Sequence, residues 1–399
     1  MKKKIYNILM LASFLLAIIF GILLPQLMEK IAFLGDIYIN LLKFMIAPII
    51  FSSIICTIYD AKKIKSHFVL KTVILFIIMF IISFLITSLV VLVSNIGYNY
   101  NFELIKWTGE ITNLEFSQII TNLFPSNLIT MFQNNAIFSI ILFAVLCGYA
   151  AFKVQNGDKV IAFFEGFKNI LYKILEYIMY LTPIGIFALL GNAIAKYGAS
   201  LFSLGAKYIL TAYFCSILVL ILVMILPAWL IGKVNPFIYI KKVLKVWLIS
   251  LTTCSSVATL PTTLKTCEED FKIPSHITNI TVPLGCTIHM CGGAISFALL
   301  GIFCCQLFNI DITISKYLLM LFSATIINMA APGIPSGGII IGATYLSILG
   351  VPLSFIGFYS SIYKLLDMAY TTLNVTGDIT ANIIINRITN LKKCKRKLQ

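Results

Sequence analysis

The sequence predicts an all-α membrane protein with about eight transmembrane helices and two re-entrant helical hairpins. Of its 399 residues, 60% are hydrophobic and only 11% are charged, and the mean hydropathy of +0.99 lies outside the range of soluble globular domains. Apolar stretches long enough to cross a bilayer core of roughly 30 Å recur along the whole chain. Two other apolar segments are interrupted by Ser, Thr, Pro and Gly, which is typical of helices that enter the membrane and turn back.

The first predicted span is interpreted as a retained helix. It follows Met1-Lys2-Lys3-Lys4, which resembles the start of a signal peptide, but no A-x-A-like cleavage site comes after it. The long, uninterrupted spans up to about residue 232 suit a frame that faces lipid or other subunits. The apolar stretches are 6–26, 38–58, 68–96, 128–152, 169–198, 206–232, 280–309 and 351–386.

The basic residues lie between the predicted spans. They give a net charge of +15 but form no nucleic-acid-binding motif, and by the positive-inside rule they mark the cytoplasmic side. The longest connection on the opposite side, 97–127, is acidic and contains none of the ten cysteines, so no disulfide framework is predicted. We therefore expect a multi-pass protein of the plasma (inner) membrane, surrounded by lipid, with both termini cytoplasmic and no nucleic-acid partner. The basic groups are Lys2–Lys4, Lys62–Lys65, Lys153–Lys173, Lys241–Lys245 and Arg387–Lys397.

Two broken segments indicate where a binding site lies. Residues 246–265 contain a Ser/Thr cluster and then Pro261, and residues 321–350 contain a tip rich in Pro and Gly. A third break lies within 283–296. Unpaired backbone groups at membrane depth are tolerated only where they are buried in protein or line a wet cavity, so paired breaks predict a site between them. The alternative is that these are ordinary interfacial turns.

Five polar residues near the C-terminus form one stripe on the helix predicted over 363–383. Measured from Asp367, Thr371 lies near +40°, Asn374 near −20°, Asp378 near +20° and Tyr370 near −60°, at about 100° per residue. A carboxylate at membrane depth is costly unless a cation or hydrogen-bond donors meet it, so both acids are candidates for function.

These residue types suit a zwitterion and an alkali cation. Asp378 and unwound backbone carbonyls offer hard oxygen ligands, helix N-termini at the hairpin tips suit a carboxylate, and Asp367 suits an ammonium group. The alternative for Asp367 is a structural ion pair with Lys364, three residues earlier.

The segment DMAYTTLNVTGD at 367–378 resembles the C-terminal signature D-x-x-R-T-x-x-N-V-x-G-D of the dicarboxylate/amino acid:cation symporter family, the glutamate transporter homologues. The resemblance implies that fold, a homotrimer, and a transport domain that moves like an elevator against a scaffold. It implies that residues 1–232 are mainly scaffold, with the third span joining the transport domain, and that 233–399 form the core of the transport domain. Similar segments are GDIYINLLKFMIAPIIFSSI at 35–54, PSNLITMFQNNAIFSIILFAVLCGYA at 125–150, LTPIGIFALL at 181–190, CSSVATLP at 254–261 and GIPSGG at 333–338.

The resemblance also implies roles for individual residues, with no organic cofactor. The substrate-binding residues are Asp367 for the ammonium, Ser255, Ser256 and Asn374 for the carboxylate, Tyr370 and Thr371 as pocket lining, and Ile334 and Gly338 as the closing tip. One Na⁺ site would use Asp378 with the carbonyls of Gly285, His289 and Asn374, and a second would use the carbonyls of Thr287, Asn328, Met329 and Ala331.

One departure from the family pattern concerns the substrate. Members that carry acidic substrates have an arginine where this chain has Tyr370, and without that charge a second buried carboxylate is poorly compensated. A neutral or larger polar amino acid is therefore expected. The alternative is that Lys364 replaces the arginine charge from one turn away.

A second departure concerns the coupling ion. The family motif N-M-D-G-T is here HMCGG at 289–293, and the third span has Phe76, Met79 and Phe80 where relatives place oxygen-bearing side chains of a further sodium site. Fewer sodium ions per cycle are expected. His289 leaves open whether Na⁺ or H⁺ drives transport, since histidine titrates near neutral pH; the alternative is a structural histidine. A metal site at His289 and Cys291 has too few ligands.

Two other function classes fit the sequence less well. An intramembrane aspartyl protease would need Y-D and G-x-G-D motifs, but Tyr59-Asp60 lies at a cytoplasmic span end and the first glycine is absent before Gly377-Asp378. A channel or sensor derived from a transporter is the other alternative, which the retained polar stripe argues against.

Overall fold

The computed structural model describes residues 3–63, 69–98, 127–133, 137–197, 200–329, 337–353 and 355–396, and these ranges are helical almost throughout. The first helices are α1 (Lys3–Leu23), α2 (Pro25–Lys63), α3 (Val69–Ser94), α4 (Leu128–Gln133), α5 (Ile137–Ala151), α6 (Gly157–Tyr180), α7 (Thr182–Tyr197) and α8 (Ser200–Val219). The later helices are α9 (Leu226–Leu230), α10 (Pro236–Thr253), α11 (Ser256–Lys265), α12 (Ser275–Ile288), α13 (Cys291–Leu307), α14 (Ile314–Met329), α15 (Gly337–Ile348) and α16 (Phe355–Arg396), with π-helical turns at Leu220–Ile225 and Thr266–Asp270.

The fold is an all-α membrane fold, as the composition predicts. Among the described residues, three helical stretches are long and apolar enough to cross a membrane: Leu70–Ser94, Leu204–Leu230 and Ser275–Leu307. The pair Gly157–Ile178 and Thr182–Asn192, bent by 53°, would make a fourth span. The total of about eight spans stays a prediction, because other apolar helices, such as Ala12–Leu23, are shorter than a span.

Close helix approaches hold the N-terminal part of the fold together. A Cβ on Gly21 of α1 would lie 2.8 Å from the carbonyl oxygen of Gly191 in α7, and one on Gly185 would lie 2.5 Å from the Tyr38 ring of α2. Tyr38 also hydrogen-bonds through its hydroxyl to Thr182 Oγ1 at 3.1 Å. Small residues at crossings, reinforced by side-chain hydrogen bonds, are how helices pack where water is absent.

The third helix packs against α13. Gln306 of α13 donates from Nε2 to the carbonyl oxygen of Val91 at 3.3 Å, and its Oε1 accepts from the backbone N–H of Gly97 at 3.0 Å. At the other end of the contact, the Phe76 ring stacks on the His289 ring with centroids 4.4 Å apart. These contacts fix α3 beside the break between α12 and α13.

The first hairpin consists of α10 and α11. Asn235 caps α10, accepting from the backbone N–H of Phe237 at 2.9 Å, and Cys254 ends α10 in a left-handed conformation at φ 49°. Ser255 then caps α11, with its Oγ accepting from the N–H of Ala258 at 3.2 Å. A left-handed residue followed by a cap ends one helix and starts the next, so the helix breaks at 254–255. Pro261 lies inside α11 and not at the break.

Polar rungs join the first hairpin to α16. The three rungs are Tyr239 OH to Thr380 Oγ1 at 2.7 Å, Trp247 Nε1 to Thr376 Oγ1 at 2.8 Å and Ser250 Oγ to Thr372 Oγ1 at 2.9 Å. Apolar side chains, including Val243, Val246, Val375 and Ile379, fill the space around these rungs. Together these hydrogen bonds and apolar contacts hold the tip of the first hairpin against the polar stripe of α16.

Gly292 in the first turn of α13 allows that helix to touch α16. A Cβ at this position would lie 2.4 Å from Tyr370 Cα and 2.3 Å from its carbonyl oxygen, and backbone atoms in a packed helix cannot move aside. We expect Gly292→Ala to lower the free energy of unfolding by about 1–3 kcal/mol, measured as a lower apparent melting temperature of the purified protein.

The matched control for this change is Gly166→Ala on α6. That glycine is exposed, and a Cβ there would meet no atom within 4 Å. Alanine should leave stability unchanged or raise it by up to about 1 kcal/mol. Equal melting temperatures for the two variants would contradict the close contact between α13 and α16.

Candidate functional site

The structure brings the polar stripe of α16 to the interior. Asp367, Thr371, Asn374 and Asp378 are all buried, the last at 1% exposure. Thr371 donates from Oγ1 to Asp367 Oδ1 at 3.1 Å, which orients that carboxylate along the helix. The stripe thus faces protein rather than lipid, as its helical spacing predicts.

A cavity of about 40 Å³ lies beside Asp367. It is bounded by the first hairpin, by α14 and α15 of the second hairpin, by the first turns of α13 and by α16. Of the residues predicted to bind substrate, Ser256, Gly338, Asp367, Tyr370, Thr371 and Asn374 line it. Ser255 caps α11 instead, and Ile334 lies outside the described residues. Further lining residues are Cys254, Met290, Gly293, Ser296, Phe297, Asn328, Ile341 and Tyr363.

One side of this cavity suits a carboxylate. Ser256 is the first residue of α11 and Gly338 lies in the first turn of α15, so the positive ends of two helix dipoles border the cavity. Asn374 accepts through Oδ1 from the backbone N–H of Gly292 at 2.8 Å. Because its amide oxygen is engaged, its NH₂ group is the part left to donate to a ligand.

A second region suits a cation. Helix α12 ends at Ile288, because His289 adopts an extended conformation at φ −107° and ψ 105°. The helix therefore directs its last carbonyls and the negative end of its dipole into the protein. Asp378 lies against this end, since a Cβ on Gly285 would be 2.2 Å from Asp378 Oδ1. Carboxylate and carbonyl oxygens together attract a hard cation.

The proposed second cation position also lies where two helix ends meet. Ile288 at the end of α12 and Asn328 and Met329 at the end of α14 line one small cavity with Phe76 and Phe80. Thr287 donates from its hydroxyl to the carbonyl oxygen of Leu284 at 2.8 Å. Ala331 lies outside the described residues.

His289 is enclosed on every side that the structure describes. Its Nδ1 lies 2.9 Å from Asp378 Oδ1 and its Nε2 lies 3.0 Å from Cys291 Sγ. A Cβ on Gly377 would be 2.4 Å from the ring, so glycine is needed for the ring to fit. Both ring nitrogens therefore have partners inside the protein, an arrangement that the sequence alone did not predict.

The three third-helix positions that the family resemblance assigns to a further sodium site carry apolar side chains. Phe76, Met79 and Phe80 are all buried, and Phe76 covers the His289 ring. Among the described residues there is also no group of three or more His, Cys, Asp or Glu side chains placed to hold a metal ion.

Tyr370 is buried at the edge of the cavity, and its hydroxyl has no hydrogen-bond partner within the described structure. Lys364, which could have replaced the missing arginine, is half-buried and is not among the residues that line the cavity.

Comparison with known proteins places this chain in a family. The family model described as "Sodium:dicarboxylate symporter family" matches residues 7–388. The chain is 26% identical over 397 residues to the proton/glutamate-aspartate symporter of Bacillus subtilis (strain 168), covering 96% of this chain and 95% of that protein. It is 26% identical over 375 residues to the proton/sodium-glutamate symport protein of Geobacillus stearothermophilus, covering 91% and 89%.

A mammalian relative matches over a shorter region. Neutral amino acid transporter A of Bos taurus is 30% identical over 271 residues, which is 67% of this chain and 51% of that protein. These relatives are transporters, not enzymes, and the bacterial symporters match nearly the whole chain. Since the family model covers residues 7–388, the chain belongs to the sodium:dicarboxylate symporter family, whose members carry small molecules across membranes together with a cation.

Proposed function

We propose that the protein is a secondary active symporter that imports a neutral or polar amino acid together with Na⁺. The proposal rests on the positions of two buried carboxylates. Asp378 lies against the carbonyl end of α12. Asp367 lies beside a cavity that is bordered by two helix N-termini. The first combination suits a cation and the second suits an amino acid.

The neutral substrate is supported by Tyr370. Among the described residues that line the cavity there is no arginine or lysine. By the family resemblance, Tyr370 stands where members that carry acidic substrates place arginine. A side-chain carboxylate would lose its water without gaining a cationic partner there, which is strongly unfavourable. One relative of this chain is named a neutral amino acid transporter and others are named glutamate symporters, so the family accommodates both classes.

The side chains of α3 support a lower sodium stoichiometry, with fewer ions per transport cycle than in relatives that take three. At the three positions where the resemblance expects oxygen ligands, this chain has Phe76, Met79 and Phe80, all buried. Hydrocarbon and thioether groups cannot hold a hard cation in a buried site. The remaining sites are those of Asp378 with the carbonyls of Gly285, His289 and Asn374, and of the carbonyls at the ends of α12 and α14.

The family resemblance further supports a homotrimer in the plasma (inner) membrane with both termini cytoplasmic. In this proposal residues 233–399, with α3, move as a transport domain against a scaffold formed by the rest of 1–232. The contact of Phe76 with His289 and the hydrogen bond from Gln306 to Val91 support the assignment of α3 to the moving part.

Uptake by purified protein in proteoliposomes tests the proposal. A panel of labelled amino acids and dicarboxylates is offered under an inward Na⁺ gradient, an inward H⁺ gradient or neither. We expect uptake of neutral or polar amino acids driven by Na⁺. Uptake driven by H⁺ alone would contradict the sodium assignment and point to His289, and preference for glutamate, aspartate or dicarboxylates would contradict the substrate class. No uptake under any gradient would favour a channel or sensor.

Tyr370→Arg tests the substrate class. The guanidinium would enter the cavity wall that now carries a phenol, where it can form a charge-assisted pair with a side-chain carboxylate. We expect the ratio of acidic to neutral amino-acid uptake to rise by at least about tenfold. Tyr370→Phe is the matched control, since it keeps the ring and adds no charge. An unchanged ratio in the arginine variant would rule out Tyr370 as the selectivity position.

A further inference from the structure

The side chain of Asn328 occupies space in the cavity that only a glycine at position 293 leaves open. Asn328 lies in the last turn of α14, is 2% exposed and lines the cavity with Asp367 and Thr371. A Cβ on Gly293 would lie 2.2 Å from Asn328 Oδ1, so any larger residue at 293 would push this amide away. The pairing of Gly293 with Asn328 thus places an amide in the wall of the cavity.

This amide is not satisfied by the protein. Asn328 Oδ1 is buried and has no hydrogen-bond partner within the described structure, and the same holds for the hydroxyl of Tyr370 in the same cavity wall. A buried polar atom without a partner is unfavourable, because it has given up its hydrogen bonds to water and gained none in the protein. Two such atoms beside one cavity indicate that a ligand supplies what the protein does not.

We propose that Asn328 recognises the side chain of the substrate, and that the substrate is a carboxamide amino acid, glutamine or asparagine. The inference rests on the proposed function and makes its substrate class specific. A carboxylate has no hydrogen to donate to the Asn328 oxygen and an aliphatic side chain has none either. A primary amide both donates and accepts, so it can form two hydrogen bonds with the Asn328 amide when the two groups lie antiparallel, with each NH₂ facing the other oxygen. Tyr370 is then a further donor to the substrate oxygen.

The role differs from that of the Asn328 backbone. The cation site proposed above uses the carbonyl of residue 328, which any substitution of the side chain retains. Changes confined to the amide should therefore alter selectivity among substrates without removing the response to Na⁺. That distinction separates a specificity residue from one that only supports the fold.

The test compares Asn328→Ala with Asn192→Ala. Asn192 on α7 also has a buried amide oxygen without a partner, but it lies outside the cavity lining. In proteoliposomes, the wild-type protein should take up glutamine or asparagine at least about tenfold better than glutamate, aspartate, alanine or serine. Asn328→Ala should reduce this preference to about twofold, and Asn192→Ala should retain it.

Several results would overturn the inference. Wild-type preference for an aliphatic, hydroxyl or acidic amino acid rejects the carboxamide, and an equal loss of all substrates in Asn328→Ala rejects a role in specificity. Thermal stability of the purified protein with glutamine, asparagine, alanine or glutamate supplies a readout that does not need transport. Stabilisation by glutamine or asparagine without any uptake would reject the symporter function but keep the binding site, whereas no stabilisation by either would reject the inference.

Discussion

Asp367→Asn is expected to reduce amino-acid uptake by at least about a hundredfold, because a buried substrate ammonium would lose its carboxylate. Asp367 is buried beside the cavity, and the Thr371 hydroxyl donates to its Oδ1 at 3.1 Å. Asparagine has nearly the same shape and its oxygen can still accept from Thr371. The variant therefore removes the charge while leaving the cavity wall in place.

The measurement is initial uptake under an inward Na⁺ gradient, with amino-acid-dependent thermal stabilisation as a second readout. Both should be lost in Asp367→Asn. Asp311→Asn is the control, since it makes the same chemical change at an exposed aspartate between α13 and α14. Uptake within a few fold of the wild type in Asp367→Asn would show that the ammonium is bound elsewhere, and the structural pairing with Lys364 would then explain this residue.

Periodicity and composition predicted the features that depend on local sequence. The helical spacing of Asp367, Thr371, Asn374 and Asp378 predicted a buried stripe, and all four are buried on α16. The apolar stretches 68–96, 206–232 and 280–309 coincide with the spans Leu70–Ser94, Leu204–Leu230 and Ser275–Leu307. These properties are fixed by how far apart residues lie on a single helix, and one sequence contains that information.

Contacts between helices were not predictable in the same way. The approach of His289 to Asp378, and of Asn328 to Gly293, joins residues separated by 89 and 35 positions, which no local spacing encodes. Asn328 was predicted only as a backbone ligand, because the resemblance concerns its carbonyl and says nothing of a side chain that faces a glycine. The first break, by contrast, lies inside the predicted segment 246–265 at its Ser/Thr cluster, where a left-handed Cys254 ends α10 and Ser255 caps α11.

The His289 contact changes how the missing ligands of the third span are understood. Phe76, which the family resemblance places at the position of an oxygen-bearing residue, stacks on the ring that hydrogen-bonds Asp378. The apolar Phe76 side chain of α3 and the imidazole that follows the end of α12 therefore meet at one place.

Asp378→Asn is expected to abolish Na⁺-driven uptake, lowering it by at least about a hundredfold at a fixed gradient. Asp378 is 1% exposed and lies at the carbonyl end of α12, where its charge adds to the negative end of the helix dipole. Asparagine can still accept from His289 Nδ1, so the contact between the end of α12 and α16 should survive. The expected loss then reflects the missing charge at the cation site.

Stabilisation by Na⁺ distinguishes this loss from misfolding. The wild-type protein should melt at a higher temperature in NaCl than in choline chloride, since a ligand that binds only the folded state stabilises it. Asp378→Asn should melt at the choline temperature in both salts, and Asp311→Asn should behave like the wild type. A variant at 378 that keeps its stabilisation by Na⁺ and its uptake would place the coupling cation away from Asp378. The carbonyl ends of α12 and α14, which line a separate small cavity beside Phe76, would then be the remaining candidates for that cation.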